Sequence, residues 1–345
     1  MGERDSAFID FTEAAYDLEV DHADWLPKLI HAGAPALDKG HGVFALTAFR
    51  PLEPGALRID QTHALSGPGD FDRRVAELLE RNGGELLWPI SRPGIPKTLS
   101  EVAAAHNPAA FSLVMQHFEF AKDAVALSAF DPNGHGAYLI VALPKVTSLT
   151  PKARERWQML AAHFGAGYRL RRAVEESAPD DVTATGLPHG AEVVIDPVNF
   201  DVTDATGEAT TKPALKALRE AAQRVDRARG ALRDEDPDEA LEMWQALVRG
   251  RWSTVDYFDS DGRRYVLGIP NAPDIRDPRG LNEREMQVVT YAAQGMTNKM
   301  IGYHLGISKG RVSGLLGIAM KKLNVHTRAQ LIKTLIDFGA ISGPE

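Results

Sequence analysis

The sequence predicts a multidomain chain of 345 residues: α+β domains with antiparallel sheets and flanking helices come first, and an all-α unit of four short helices follows. Three observations predict it. Strand-like runs paired across turn signals alternate with helical patterns as far as Pro270, whereas only helical patterns occur from Leu281 onward. Two Pro/Gly-marked stretches, 175–190 and 271–280, read as linkers, so the expected domains are 1–174, 191–270 and 281–345. Charge divides at the same place. Of 39 Lys/Arg and 47 Asp/Glu, 8 and 4 fall from Leu281 onward, leaving that segment at +4 and the rest at −12.

In the first domain, Ser6–Ile30 reads as helical, marked by Phe8, Phe11, Ala15, Leu18 and Val20, with Pro27 limiting the continuous stretch. Gly42–Pro51 reads as a strand, and Phe71–Gly84 as a helix stopped by glycine. Ala124–Phe130 and Ala137–Pro144 flank DPNGHG, a hairpin signal. Thr150 can cap, and Pro151 can open, a long helix on which Trp157, Leu160, Phe164 and Tyr168 share a face. In the second domain a strand, AEVVIDP, precedes a helix ending at Gly230. A further helix begins at Asp236-Pro237, with Leu241, Trp244 and Leu247 as its apolar face. A hairpin then turns at Asp261-Gly262.

The element order of the first domain resembles a GAF-like sensor domain, and the strand–helix–hairpin order of the second resembles a reduced PAS-like module. These resemblances imply sensory or dimerising roles for both.

The C-terminal segment punctuates itself. Asn282 and Glu285 have capping-box spacing and Gly295 stops their helix. Thr297 can cap a second helix stopped by Gly306, and Ser308 a third running to about Leu323. Thr327 and Gln330 form another capping box, with Gly339 ending the fourth helix. Helices two and three are joined by LGIS alone, a helix-turn-helix spacing that lets the third helix enter a major groove. No carboxylate occurs between Glu285 and Asp337, as a polyanion partner requires.

LNEREMQVV, AAQGMTNKMIGYHLGIS and MKKLNVHTRAQLI resemble the tetrahelical DNA-binding domain of LuxR-type transcription factors. The resemblance implies that Asn298, Lys299 and Ile301 open the second helix, that Val312 and Leu323 are core residues of the third, and that Glu285 holds the first. It implies a dimer contact on the fourth helix along Leu331, Ile332, Leu335 and Ile336. The chemistry adds Lys299, Lys309, Arg311, Lys321, Lys322 and Arg328 as phosphate contacts, with Thr297, Asn298, Ser308 and Ser313 beside them at helix starts. Ser308, Lys309, Arg311 and Ser313 occupy the part of the third helix normally presented to base edges.

One departure stands out. Gly310, Gly314 and Gly317 fall where many family members carry polar or basic residues, and each costs a helix about 0.8–1 kcal/mol relative to Ala. Fewer side chains can then reach bases, or the backbone can approach DNA or a second subunit more closely.

The remaining chemistry is sparse. The chain has no cysteine, and none of its 11 histidines forms an HxxxH pair, so no metal or cofactor is expected. DSDG at 259–262 reads as a turn, not a calcium loop. No Gly-rich phosphate loop or catalytic constellation is visible, and no apolar run is long enough to span a bilayer. The expectation is a cytoplasmic transcriptional regulator, not an enzyme and not membrane-bound, whose partners are double-stranded DNA and a second copy of the chain. Its effector, a small molecule or a protein, is left open. The alternative is an interaction or dimerisation regulator whose helix-turn-helix has lost specific DNA recognition.

Overall fold

The computed structural model of the chain describes residues 2–49, 58–67, 69–70, 73–74, 77, 96–105, 121–130, 135–176, 185–245, 247–270, 281–323 and 325–337. The linker 271–280, the turn 131–134 and the expected glycine stop at 339 lie outside them, as does most of the expected helix 71–84.

The first unit is built on a five-stranded antiparallel sheet. Its strands are β1 (Val43–Phe49), β2 (Arg58–Leu65), β3 (Lys97–Thr98), β4 (Asp123–Phe130) and β5 (His135–Leu143), in the order β2-β1-β5-β4-β3. Alternation places Val43, Ala45, Val125, Leu127, Leu139 and Val141 on one face, where they pair in register and are almost wholly buried. Helices α1 (Gly2–Ala15), α2 (His22–Leu37) and α4 (Pro151–Glu176) cover that face, while α3 (Leu99–Ala105) follows β3. Trp25 is the hub, with ring centroids 6.0 Å from Phe164 and 6.2 Å from Tyr168.

The expected single stretch Ser6–Ile30 divides instead at a turn, where Asp17 Oδ1 accepts the Glu19 amide at 3.0 Å. The Trp25 indole donates to Ala14 O at 3.2 Å, a carbonyl at the end of α1 that also accepts the Asp17 amide at 3.3 Å. Pro27 lies inside α2 rather than limiting it. It cannot donate to the Ala23 carbonyl, but Ala23 is exposed and water can take that acceptor.

The second unit is a four-stranded antiparallel sheet of β6 (Val193–Ile195), β7 (Val202–Ala205), β8 (Trp252–Phe258) and β9 (Arg264–Pro270), in the order β7-β6-β9-β8. Helix α5 (Lys212–Arg229) lays Ala214, Leu218, Ala221 and Ala222 on it, against Val193, Ile195, Trp252 and Val266. The β8–β9 turn is closed by Asp259 Oδ1, which accepts the Asp261 and Arg263 amides at 3.0 and 2.8 Å. That is the expected turn.

Between α5 and β8 lie α6 (Leu232–Glu235) and α7 (Pro237–Met243), the latter capped by Asp236 Oδ1 on the Glu239 amide at 3.0 Å. The apolar face expected on α7 extends past its end. Trp244 and Leu247 are buried but lie beyond Met243, because the carbonyls of Leu241 and Trp244 turn toward the Tyr303 hydroxyl instead of continuing the ladder.

The third unit consists of α8 (Glu283–Ala293), α9 (Asn298–Leu305), α10 (Lys309–Lys322) and α11 (Arg328–Asp337). Its apolar residues are continuous with the core of the first unit. Among the described residues no helix is long and apolar enough to cross a membrane.

Candidate nucleic-acid interface

Each helix start in the third unit is fixed by the side chain its sequence supplies. Asn282 Oδ1 accepts the Glu285 amide at 2.9 Å while Glu285 Oε2 accepts the Asn282 amide at 3.0 Å, a closed capping box. Thr297 Oγ1 accepts from Met300 N at 3.3 Å and Ser308 Oγ from Arg311 N at 3.2 Å. Thr327 Oγ1 accepts from Gln330 N at 3.2 Å, and Gln330 Oε1 accepts from Thr327 N at 3.2 Å.

Gly306 ends α9 in the left-handed region at φ 64°. A Cβ there would stand 2.1 Å from Leu247 O, so the turn into α10 has room for glycine alone.

Helix α10 is two-faced. Val312, Leu315, Leu316 and Ala319 are buried, and burying each of the three larger side chains contributes about 1.5–3 kcal/mol. The outer face carries Lys309, Gly310, Arg311, Ser313, Gly314, Gly317, Ile318 and Lys321, all exposed, with Ile318 at 48%. A Cβ added at any of the three glycines would meet nothing within 4 Å, so packing does not explain them. Lys309, Arg311 and Lys321 make no ion pair among the described residues, and the α10 N-terminus lies beside the first two.

The other expected contact residues are engaged inside the chain. Asn298 bridges three helices, donating to Ser313 Oγ at 2.9 Å and accepting from Arg328 Nη2 at 2.6 Å. Arg328 Nη1 also donates to Met296 O at 2.9 Å. Lys322 Nζ lies 2.7 Å from the buried Glu285 carboxylate. Burial alone would push that carboxyl up, but the Lys322 ammonium and the Asn282 amide outweigh it and hold it below its usual range.

Lys299 leaves the unit altogether. It sits 2.5 Å from Glu155 on α4 and 3.5 Å from Glu242 on α7, and the Glu155 bond raises its pKa. On α11, Leu331 and Leu335 are 0% and 1% exposed within the chain's own core, whereas Ile332 is half-buried. The expected seam therefore cannot use those two leucines as they stand; the side chain of Ile336 lies outside the described residues.

The contact of α9 with the first two units was invisible in the sequence. His163 of α4 lies 3.0 Å from Tyr16 Oη through Nδ1 and 2.6 Å from Tyr303 Oη through Nε2. Tyr303 Oη is in turn 2.5 Å from Leu241 O and 2.7 Å from Trp244 O. Burial lowers the His163 pKa to about 3, so the ring is neutral. The carbonyls require the Tyr303 proton; Nε2 therefore carries hydrogen and donates to Tyr303, and Nδ1 accepts from Tyr16. Alongside lies a cavity of about 20 Å³ bordered by Phe130, Arg169, Tyr291, Gln294 and His304, room for one water-sized molecule. His304 is 4% exposed with neither ring nitrogen hydrogen-bonded among the described residues, and burial, then Arg169 and His163, hold its pKa well below the usual value.

Arg249 and Arg284 carry no local motif in the sequence. Burial, then the neighbouring guanidiniums of Arg249 and Arg311, lower the Arg284 pKa. No signal in the sequence places Arg249 near Arg284.

Comparison with known proteins agrees with this geometry for the third unit. Residues 279–335 match the luxR family of bacterial regulatory proteins. A nitrate/nitrite response regulator protein homolog of Haemophilus influenzae is 31% identical over 97 residues, 28% of this chain and 44% of that protein. The match thus spans less than half the length of that relative. The crystal structure of Escherichia coli SdiA aligns over 94% of both chains at 11% identity, with a TM-score of 0.28. The C-terminal unit is a luxR-family helix-turn-helix domain.

Proposed function

We propose that the chain is a sequence-specific, DNA-binding transcriptional regulator that reads double-stranded DNA through α10, under the control of an effector acting on its N-terminal domains. The observation that carries this reading is the division of α10. One face is core, and the other exposes Lys309, Arg311, Ser313 and Lys321 to solvent, with two of the cations in its first turn. A helix of this length presented N-terminus first fits a major groove.

Control follows from α4. Its first half holds α9 through Glu155 and His163, and its second half lines an open cavity of about 430 Å³ with Tyr168, Arg172 and Glu175. His22, Arg58 and Asp60 complete the polar side of that cavity, which suits a small polar effector. Sixteen residues of helix lie between Glu155 and Arg172, about 25 Å of rigid rod between effector and DNA-binding domain. An effector that favours one seating of α4 changes the affinity for DNA by differential binding.

In this reading residues 1–174 form a GAF-like and 191–270 a PAS-like domain, joined by 175–190 and followed, after 271–280, by the DNA-binding domain 281–345. The protein is a cytoplasmic homodimer without catalytic activity, with Ile332 on its α11 seam. Selection of full-length protein on random duplex DNA tests the reading. A recurring motif is expected, lost in a Lys309→Ala, Arg311→Ala double variant; recovery of unrelated sequences by both proteins would remove it.

A second reading, an interaction module without base readout, is favoured by the small, apolar strip Gly310, Gly314, Gly317 and Ile318 on the same face. Under it the selection returns no motif and Ile318→Lys disrupts self-association.

A further inference from the structure

The turn before β8 belongs to the second sheet and is pressed against the helix-turn-helix. Arg249 N is 3.2 Å from the position of a Cβ on Gly306, and Gln287 of α8 donates to Gly250 O. The turn is closed by Val248 N to Trp252 O at 2.6 Å and Arg251 N to Val248 O at 3.1 Å.

Its two arginines differ in a telling way. Arg251 is neutralised, 3.4 Å from Glu192, 3.0 Å from Glu208 and 3.7 Å from Glu283. Arg249 has no carboxylate within ion-pair distance among the described residues, and neither has Arg284 or Arg311. Burial first, and then the Arg249 and Arg311 guanidiniums, hold the Arg284 pKa below its usual value, although Glu283 and Glu208 act against them. Arg249 is also held at φ 54°, a conformation that costs a side-chain-bearing residue about 1–2 kcal/mol. Like charges brought together from this turn, α8 and α10 without an ion-pair partner favour an anionic ligand.

We infer that Arg249 is a DNA-phosphate contact, extending the cationic face of α10 across Arg311 and Arg284 onto the second domain. This rests on the DNA-binding reading of α10. The partner chemistry is a row of phosphodiesters, which matches three guanidiniums in sequence and the nearby α10 N-terminus. The contact carries no base information, so it strengthens binding to all sequences alike. It also ties affinity to docking: Arg249 reaches the DNA while the 248–252 turn stays seated on Gly306 and Gln287, so an effector that unseats the turn weakens binding without touching α10.

The test uses full-length protein and a fluorescent duplex of random sequence, titrated across a salt series, with Arg249→Asn, Arg249→Lys and Lys309→Ala, Arg311→Ala. Asn tolerates the left-handed backbone, so the turn survives the substitution, and the melting temperature checks this. Loss of one phosphate contact lowers the slope of log K against log salt by about 0.9, roughly a fivefold loss of affinity near 0.15 M salt, with Arg249→Lys restoring most of it. If Arg249→Asn binds like wild type while the α10 double variant weakens, the inference falls and the DNA-binding reading stands. If wild type fails to bind DNA at all, both fall. Should Arg249→Asn not fold, Arg249→Gly, which relieves the backbone, is measured in its place and must show the same loss of slope.

Discussion

Tyr303→Phe removes one oxygen from the contact that seats the DNA-binding domain. The deletion leaves the Nε2 hydrogen of His163 without its acceptor and the carbonyls of Leu241 and Trp244 without their donor, in a site where Tyr303 is 8% exposed. A single buried polar group left unsatisfied costs about 1–3 kcal/mol, so the variant should lose about 2–4 kcal/mol of docking free energy. Native-state hydrogen exchange reads the loss where it arises. Amides of α9 should lose protection by about 30-fold or more, while those of β1, inside the first sheet, keep theirs. Tyr16→Phe acts on the other side of the same imidazole, so the two substitutions should couple by about 0.5–3 kcal/mol in a double-mutant cycle. A loss of protection below about threefold in α9, or strict additivity with Tyr16→Phe, would refute the assignment of the hydroxyl–imidazole–hydroxyl chain as the clasp.

The same histidine predicts a pH dependence. His163 has an unfolded-state pKa of 6.5, lowered on folding to about 3, so the unfolded chain binds the extra proton below pH 6.5 and stability declines with acidification. The contribution lost between pH 7 and 5 is about 2 kcal/mol, and His304, shifted in the same direction, adds to it; His163→Asn should flatten the urea midpoint against pH by that amount. Gly306→Ala must fit a Cβ 2.1 Å from Leu247 O at a φ of 64°, and should destabilise the full chain by more than about 2 kcal/mol in urea. Gly314→Ala meets open space, so thermal unfolding should shift upward in line with about 0.8–1 kcal/mol; a lowered melting temperature would show that the glycine has a packing role.

The parts of this structure written locally were legible in the sequence. Asn282 with Glu285, Thr297, Ser308 and Thr327 with Gln330 cap within three residues of themselves, and all of them do so in the structure. Alternating apolar residues likewise marked the strands. What was not legible was the identity of the distant partner a side chain meets. A lysine at a helix end is a phosphate contact or an ion-pair donor according to what folds beside it. Lys299 met Glu155 and Lys322 met Glu285, while Lys309 and Lys321 met neither. Leu331 and Leu335 form an apolar stripe whose period does not say whether it faces the chain's own core or another subunit. Tyr303 and His163 stand 140 residues apart, and no local pattern joins them.

Regulation by this chain requires that the outer face of α10 read DNA. The decisive measurement is an affinity titration of the full-length protein on its selected duplex and on a scrambled duplex across a salt series, beside Lys309→Ala, Arg311→Ala. The account predicts a steep inverse dependence on salt for wild type, preference for the selected duplex by a thousandfold or so, and loss of most of that preference in the variant. Equal, weak binding of both duplexes, unchanged by the two substitutions, would contradict it.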